Sequence, residues 1–269
     1  MTPYIDRLRA AVAQRGALCV GVDPHPGVLD RWGLPDTAAG VERLARGLIA
    51  AIGDRVACFK PQSAFFEAHG SAGVAVLERV IADAHDAGAL VIVDAKRGDV
   101  GSTMAAYARA YLGSGPLVGD AVTLSPYLGL GALDPAFDLA EGNGKGVYVL
   151  ARTSNPEGHA VQLATTEAGP SVVQSIVDQA AARNLASGLQ AVGLVVGATH
   201  ADAGADLAGF AGSILVPGVG AQGGTMDGVK ALFGDTAATV LPSVSRAILW
   251  AGPEPEALQT ELDHLLTGS

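Results

Sequence analysis

The sequence predicts an α/β chain closed as a single (β/α)8 barrel, the TIM-barrel architecture, on three observations. Its 269 residues match the usual size of one such barrel. Eight short apolar, β-rich runs recur along it, and segments between them place apolar residues at helical spacing. No linker, internal repeat or low-complexity tract divides the chain, so residues 1–269 are expected to form one domain.

The elements follow in order. Ile5, Leu8 and Val12 mark one face of a helix ahead of the first strand, residues 18–23. Val41, Leu44, Leu48 and Ile52 form a second stripe and lead into a strand at 56–60. Val74, Leu77 and Ile81 precede the third strand, 90–94. Strands at 121–125 and 147–151 come next, then a helix carried by Val172, Val173, Ile176 and Val177. Strands at 192–197, 214–216 and 239–241 complete the eight, and Leu258, Leu262 and Leu265 supply a closing helix.

Strand alternating with helix implies a parallel sheet covered on its faces. A doubly wound open sheet would carry a glycine-rich turn after its first strand, where Asp23-Pro24-His25-Pro26 stands instead. Two long segments, 152–170 and 217–227, follow strands and so belong at the C-terminal face. Barrel loops of that length are usually functional.

Composition narrows the partners. Hydrophobic residues make up 49% of the chain and charged residues 16%, enough apolar surface for a large core. A net charge of −10 excludes a general nucleic-acid or anionic-membrane binder, which needs a basic face, so any anionic ligand must be held locally. With no basic-then-apolar leader and no apolar stretch of roughly 20 residues, a cytoplasmic address is expected. Cys19 and Cys58 lie within apolar strands and are expected to be buried free thiols.

In a barrel the active site sits at the C-terminal ends of the strands, which makes polar residues there informative. Asp23 ends the first strand, Lys60 the second, Asp94 and Lys96 the third, and Ser243, Ser245 and Arg246 follow the eighth. Alternation along a strand is expected to put Asp94 and Lys96 on one face, with Cys58 beneath Lys60 and Cys19 beneath Asp23. Together with Asp99 these residues would form an array of alternating charge, in which carboxylates keep each ammonium protonated and able to donate a proton. A salt-bridge ring closing the barrel end is the structural alternative. Several buried charges cost too much to be kept without use. The six histidines are scattered and only His25 is near a strand end, so no metal is expected.

The segment 217–224, Pro-Gly-Val-Gly-Ala-Gln-Gly-Gly, follows the seventh strand. Barrel enzymes commonly bind phosphate in this sector, where glycines such as Gly220 and Gly223 let backbone N–H groups approach an anion. Arg246 would add a bidentate charge. A flexible surface loop is the alternative. After the fifth strand, Arg152 to Gly158 supplies short hydrogen-bonding side chains, and Ser154 or Asn155 could read a ligand ring, although Ser-Asn-Pro is also ordinary turn sequence.

At Phe59-Lys60-Pro61-Gln62 and Asp94-Ala95-Lys96-Arg97-Gly98-Asp99-Val100-Gly101-Ser102-Thr103 the chain closely resembles the orotidine 5′-phosphate decarboxylase family, in particular a bacterial subgroup (type 2). The likeness runs from about Asp23 to Arg246. Its Asp-x-Lys-x-x-Asp core is shared with sister barrels acting on sugar phosphates, and Lys60 with the 217–224 loop narrows it. The resemblance implies decarboxylation of orotidine 5′-phosphate to uridine 5′-phosphate without a cofactor, in pyrimidine biosynthesis. It implies that Lys96 protonates C6 as carbon dioxide leaves, with Asp94 beside the substrate carboxylate. Lys60 would orient Asp94 and touch the ribose, and Asp23 would bind a ribose hydroxyl. Asp99 and Thr103 would come from the partner subunit of a homodimer with shared sites. Ser154 would bond the pyrimidine edge, Gln222 would bridge pyrimidine and phosphate, and Arg246 would grip the phosphate. The segment 152–170 is longer than the ring-reading loop of the family's other subgroups.

Two other readings remain open at this point. A related sugar-phosphate decarboxylase or lyase would need a divalent metal to stabilise an enediolate. A non-catalytic phosphate-ligand sensor would be expected to lose members of the charged array, and Lys60, Asp94, Lys96 and Asp99 are all present.

Overall fold

In the computed structural model, which describes residues 1–200, 202–220, 223–234 and 236–267, each apolar run is a strand. They are β1 (Cys19–Val22), β2 (Cys58–Pro61), β3 (Leu90–Arg97), β4 (Ala121–Leu124), β5 (Gly146–Arg152), β6 (Val192–Val196), β7 (Ser213–Pro217) and β8 (Thr239–Val244). All pair in parallel and in sequence order, and β1 closes on β8 with Cys19 opposite Ser243 and Val20 opposite Val244. The (β/α)8 barrel expected from the sequence is therefore the observed fold.

Helix α1 (Tyr4–Arg15) precedes β1. Helices α2 (Pro26–Arg31) and α3 (Ala38–Ile52) join β1 to β2, and α4 (Ser63–Glu67) and α5 (Gly70–Asp86) join β2 to β3. The later excursions carry α6 (Gly101–Leu112), α7 (Asp134–Gly142), α8 (His159–Gln162), α9 (Val172–Ser187) and α10 (Met226–Phe233), and α11 (Arg246–Ala251) and α12 (Pro255–Thr267) follow β8. Between β6 and β7 the described residues form no helix, so the crossover they make is irregular. Side chains set the helix starts: the Thr37, Ser171 and Thr225 hydroxyls accept the N–H groups of Gly40, Gln174 and Gly228 at the first turns of α3, α9 and α10. No helix among the described residues is long and apolar enough to cross a membrane.

Two apolar layers follow from strand alternation. Outward residues such as Val20, Phe59, Val91, Val122 and Val149 pack under the helices with Leu44, Leu48 and Leu77. Inward residues Cys19, Cys58, Ile92, Ala121, Tyr148, Leu215 and Leu241 fill the barrel and meet Tyr4, Ile5 and Leu8 of α1. Helix α1 thus plugs the N-terminal end, with the Tyr4 and Tyr148 hydroxyls 3.0 Å apart. Arg7 on the same helix pairs with the buried Asp120 just before β4. Asp120 also accepts the Val91 N–H at 2.9 Å and lies 3.0 Å from His85 Nε2. Burial alone would raise its carboxyl, but the hydrogen bonds from His85 and Arg7 bring it down to about 2. With one end sealed this way, the open mouth lies at the C-terminal ends of the strands.

Candidate active site

The first layer of inward residues is apolar and the next is charged. Cys19 and Cys58 are opposite each other and wholly buried, and two residues on, at the parity expected, stand Gly21 and Lys60. Asp94 follows Ile92 on the same face of β3. Lys60 Nζ donates to Asp94 Oδ2 at 2.9 Å and lies 3.9 Å from Asp23 Oδ1. Lys96 Nζ donates to the other oxygen, Asp94 Oδ1, at 2.5 Å. Asp94 also accepts from Gln62 Nε2 at 3.0 Å and from the Thr123 hydroxyl at 2.9 Å.

Four donors on one buried carboxylate decide its state. Burial opposes the charge, but the ammonium groups of Lys60 and Lys96, with their hydrogen bonds, outweigh it and hold the Asp94 carboxyl well below the usual range. Burial likewise opposes the Lys60 charge, and Asp94 and Asp23 more than offset it, so Lys60 is raised above the ordinary lysine value. The two lysines differ in access: the Lys60 side chain is 7% exposed and the Lys96 side chain 43%. Lys60 is almost wholly buried at the base of the array, whereas the Lys96 side chain is partly exposed.

Regular alternation does not bring Asp94 and Lys96 together as expected. β3 shifts register against β4 between Val93 and Arg97, and Lys96 adopts φ +46°. The bulge, rather than a flat pleat, aims Lys96 back at Asp94. Gly98 follows because a Cβ there would stand 2.4 Å from the Ser125 carbonyl oxygen.

Asp23, His25, Lys60, Ser245 and Arg246 line a cleft of about 330 Å³ whose far wall is Pro217, Gly218 and Val219. That volume suits a small organic ligand. Of the five buried side-chain polar atoms without a hydrogen-bond partner among the described residues, three are on Arg97 and Arg152, and the other two, Asp23 Oδ1 and Ser245 Oγ, belong to residues of this cleft. Their residues face the cleft, as groups awaiting ligand hydroxyl or phosphate oxygens would. A larger cleft of about 910 Å³ lies at the opposite end of the barrel, around Arg7, Asp120 and Lys145, away from the charged array.

Of the residues singled out in the sequence, the structure unites Asp23, Lys60, Asp94 and Lys96 and sets Arg246 on the same cleft. Asp99 stands apart: it accepts the Val100 N–H at 2.8 Å, and no ion pair among the described residues includes it. Thr103 is exposed on α6. Ser154 is half-buried at the end of β5, with Cα and Cβ 3.0 Å from where a Gly197 Cβ would fall. Gly220 and Gly223 have φ +80° and +93°, but their N–H groups bond within the loop, to Gly224 O and Gly220 O, both at 2.8 Å. In this conformation the expected approach of these two amides to an anion is not open to them. Gln222 lies outside the described residues.

Gln62 and Thr123 were not singled out in the sequence. Both carry a signal: Gln62 is two residues past Lys60, and Thr123 is a polar residue inside the apolar run Ala121–Leu124 at the parity of Ala121.

Comparison with known proteins bears on this geometry. Residues 16–260 match the model of the orotidine 5′-phosphate decarboxylase / HUMPS family. A Salinispora arenicola protein named orotidine 5′-phosphate decarboxylase is 56% identical over 268 residues, 99% of this chain and 96% of that relative. A Streptomyces coelicolor protein of the same name is 51% identical over 98% of this chain and 96% of its own length. Among solved structures, a protein from Streptomyces avermitilis assigned as orotidine 5′-phosphate decarboxylase superposes with a TM-score of 0.95 at 49% identity, covering 99% of this chain and 94% of that one. The Leishmania donovani OMP decarboxylase superposes at 0.76 with 30% identity, covering 98% of both chains. A match over most of the length, in a closed barrel with lysines and aspartates interleaved at its mouth, means that the chain belongs to the orotidine 5′-phosphate decarboxylase / HUMPS family.

Proposed function

We propose that this chain, a single barrel domain, decarboxylates orotidine 5′-phosphate to uridine 5′-phosphate in pyrimidine biosynthesis, without a metal or cofactor. The observation that carries the reading is the Lys60–Asp94–Lys96 array, whose Lys60 lines the same cleft as Arg246. In the reaction the bond between C6 and the carboxylate carbon breaks, carbon dioxide leaves, and the electron pair left on C6 takes a proton from Lys96 Nζ. No ring carbonyl delocalises that charge well, so preorganised positive charge beside C6 lowers the barrier. Lys96 is the accessible ammonium of the pair. Asp94 stands beside the departing carboxylate, Lys60 holds Asp94 and reaches the ribose, and Asp23 takes a ribose hydroxyl. Arg246 grips the phosphate, Gln222 bridges it to the pyrimidine, and Ser154 meets the pyrimidine edge.

The same reading makes the enzyme a homodimer with shared sites, Asp99 and Thr103 serving the neighbour's array. Its support is that no ion pair among the described residues of one chain includes Asp99, and that Val100, Tyr127 and Leu128 are exposed on the adjoining loops. A cytoplasmic setting fits two buried free cysteines.

The test is to incubate chelator-treated protein with orotidine 5′-phosphate and follow the loss of the orotate ultraviolet band. Conversion is expected from the unmodified protein and a loss of about a thousandfold or more from Lys96→Ala. No conversion by the unmodified, chelator-treated protein overturns the reading.

A further inference from the structure

Lys96 is held in a backbone conformation it would not choose. At φ +46° it lies in the left-handed region, which crowds any residue with a Cβ. Between Val93 and Arg97, β3 spends four residues where β4 spends two, from Val122 to Leu124. A lysine on such an excess of chain keeps its place only if neighbouring groups fix it.

Two sets of contacts do so. On the barrel side the Thr123 hydroxyl donates to Asp94 Oδ1 at 2.9 Å and accepts the Lys96 backbone N–H at 2.9 Å. Lys96 Nζ returns to that same Oδ1, which closes a ring through one hydroxyl, one carboxylate and one lysine. The hydroxyl proton is committed to Asp94. On the outer side Arg97 Nη1 donates to the Ala95 carbonyl at 3.1 Å, and Nη2 donates to the Glu67 carboxylate and to the Tyr111 hydroxyl, the latter at 3.2 Å. Its guanidinium also lies 5.7 Å and 5.9 Å from the ring centroids of Tyr107 and Tyr111. Arg97 therefore ties the peptide preceding Lys96 to α4 and α6, and its own carbonyl accepts the Ser125 N–H at 2.8 Å, where pairing with the β4 end resumes.

We propose that Thr123 and Arg97 are positioning residues that clamp the Lys96 backbone from its two sides and so aim its ammonium at Asp94 and the reacting carbon. The role in turnover rests on the function proposed above; the clamp itself rests on these contacts. Neither side chain need touch substrate. Relaxation of Lys96 to extended backbone would carry Nζ off Asp94, and a small displacement of a catalytic group costs rate far more than binding.

The test compares Thr123→Val, which keeps the shape and removes the hydroxyl, with Thr123→Ser, which restores the hydroxyl, and adds Arg97→Met from the other side. For each folded variant, kcat and KM for orotidine 5′-phosphate are measured. Independently of turnover, the rate of Lys96 acylation by an amine-reactive ester is mapped by peptide mass spectrometry, with buried Lys60 as the internal reference. Expected are a fall in kcat of about tenfold or more for Thr123→Val and Arg97→Met with KM within about twofold, and recovery of most of the rate in Thr123→Ser. Lys96 acylation is expected to quicken in the two disabling variants and not in Thr123→Ser. An unchanged kcat, a rise in KM alone, or acylation identical across the series overturns the clamp. If the unmodified protein does not turn over substrate, the proposed function fails, and the acylation series still decides the clamp. Should Thr123→Val not fold, Arg97→Met reads the same clamp.

Discussion

At the residue scale the site turns on Asp94. A carboxylate that is 5% exposed stays ionised only because Lys60, Lys96, Gln62 and Thr123 donate to it, and removing it strands two ammonium groups. Its depressed folded-state value contributes stability that is present above the unfolded carboxylate range, near pH 4, and is lost as pH falls through the folded value. Lys60 is raised, so its contribution is present below about pH 10 and is lost only as pH climbs through the folded value. Between about pH 5 and 9 these two groups hold one charge state. Asp94→Asn is expected to cost about 3 kcal/mol of unfolding free energy by denaturant titration, constant over that window and shrinking toward pH 2. A cost that varies between pH 5 and 9 would contradict the assignment of charge.

At the scale of elements, two devices position the array: a plug below and a bulge beside it. The plug is α1, held by Tyr4, Ile5 and Leu8 in the barrel and by Arg7 on Asp120. The depression of Asp120 to about 2 implies a contribution on the order of 2 kcal/mol. It is present above about pH 4 and disappears as pH falls toward 2. Asp120→Asn is accordingly expected to lower stability by about that amount at pH 7 and by little at pH 2, while kcat at pH 7 changes less than about twofold, because the plug lies at the far end from Lys96. Urea titrations at the two pH values and one kinetic assay check this. The bulge depends on Gly98, where a Cβ would meet the Ser125 carbonyl oxygen at 2.4 Å, so Gly98→Ala must displace the turn leading to Asp99. A fall in kcat of about tenfold or more is expected there, read by the same assay.

These two devices also mark how far the sequence was legible. Apolar runs and helical stripes announce elements because burial imposes their periods, and polar residues ending strands announce the mouth. Asp23, Lys60, Asp94 and Lys96 were found that way. The register shift in β3 left no trace, because the pattern from Leu90 to Asp94 reads as an unbroken strand and the extra residues are specified by Thr123 and Arg97, which are distant or outward-facing. Thr123 within the four-residue β4 and Gln62 just past β2 sat at the right parity, yet a polar residue there reads as functional only once its neighbour's register is known. The irregular crossover between β6 and β7 was equally invisible, since the absence of a helix among its described residues has no motif.

At the scale of the whole molecule, Lys60, Asp94 and Lys96 pair within one chain while Asp99 makes no ion pair among the described residues. Next to it Val100 is 57% exposed, and Tyr127 and Leu128 on the loop after the neighbouring strand β4 are 80% and 53% exposed. Large apolar side chains left in water beside an unpaired acidic residue suit a face that a second copy covers. If Asp99 serves the neighbour's Lys96, inactive Lys96→Ala and Asp99→Ala proteins must rescue each other when their subunits exchange. Random pairing puts half of the subunits in mixed dimers, and each mixed dimer has one site with both residues intact. An equimolar mixture is therefore expected to regain about one quarter of the unmodified activity per subunit. Tyr127→Glu in both partners should abolish that rescue by burying a charge in the contact, and should shift the protein to a monomer in sedimentation. No recovery despite demonstrated exchange would return Asp99 to its own barrel and leave each active site the work of one chain, whereas recovery that survives Tyr127→Glu would keep the shared site and move the contact off the Tyr127 face.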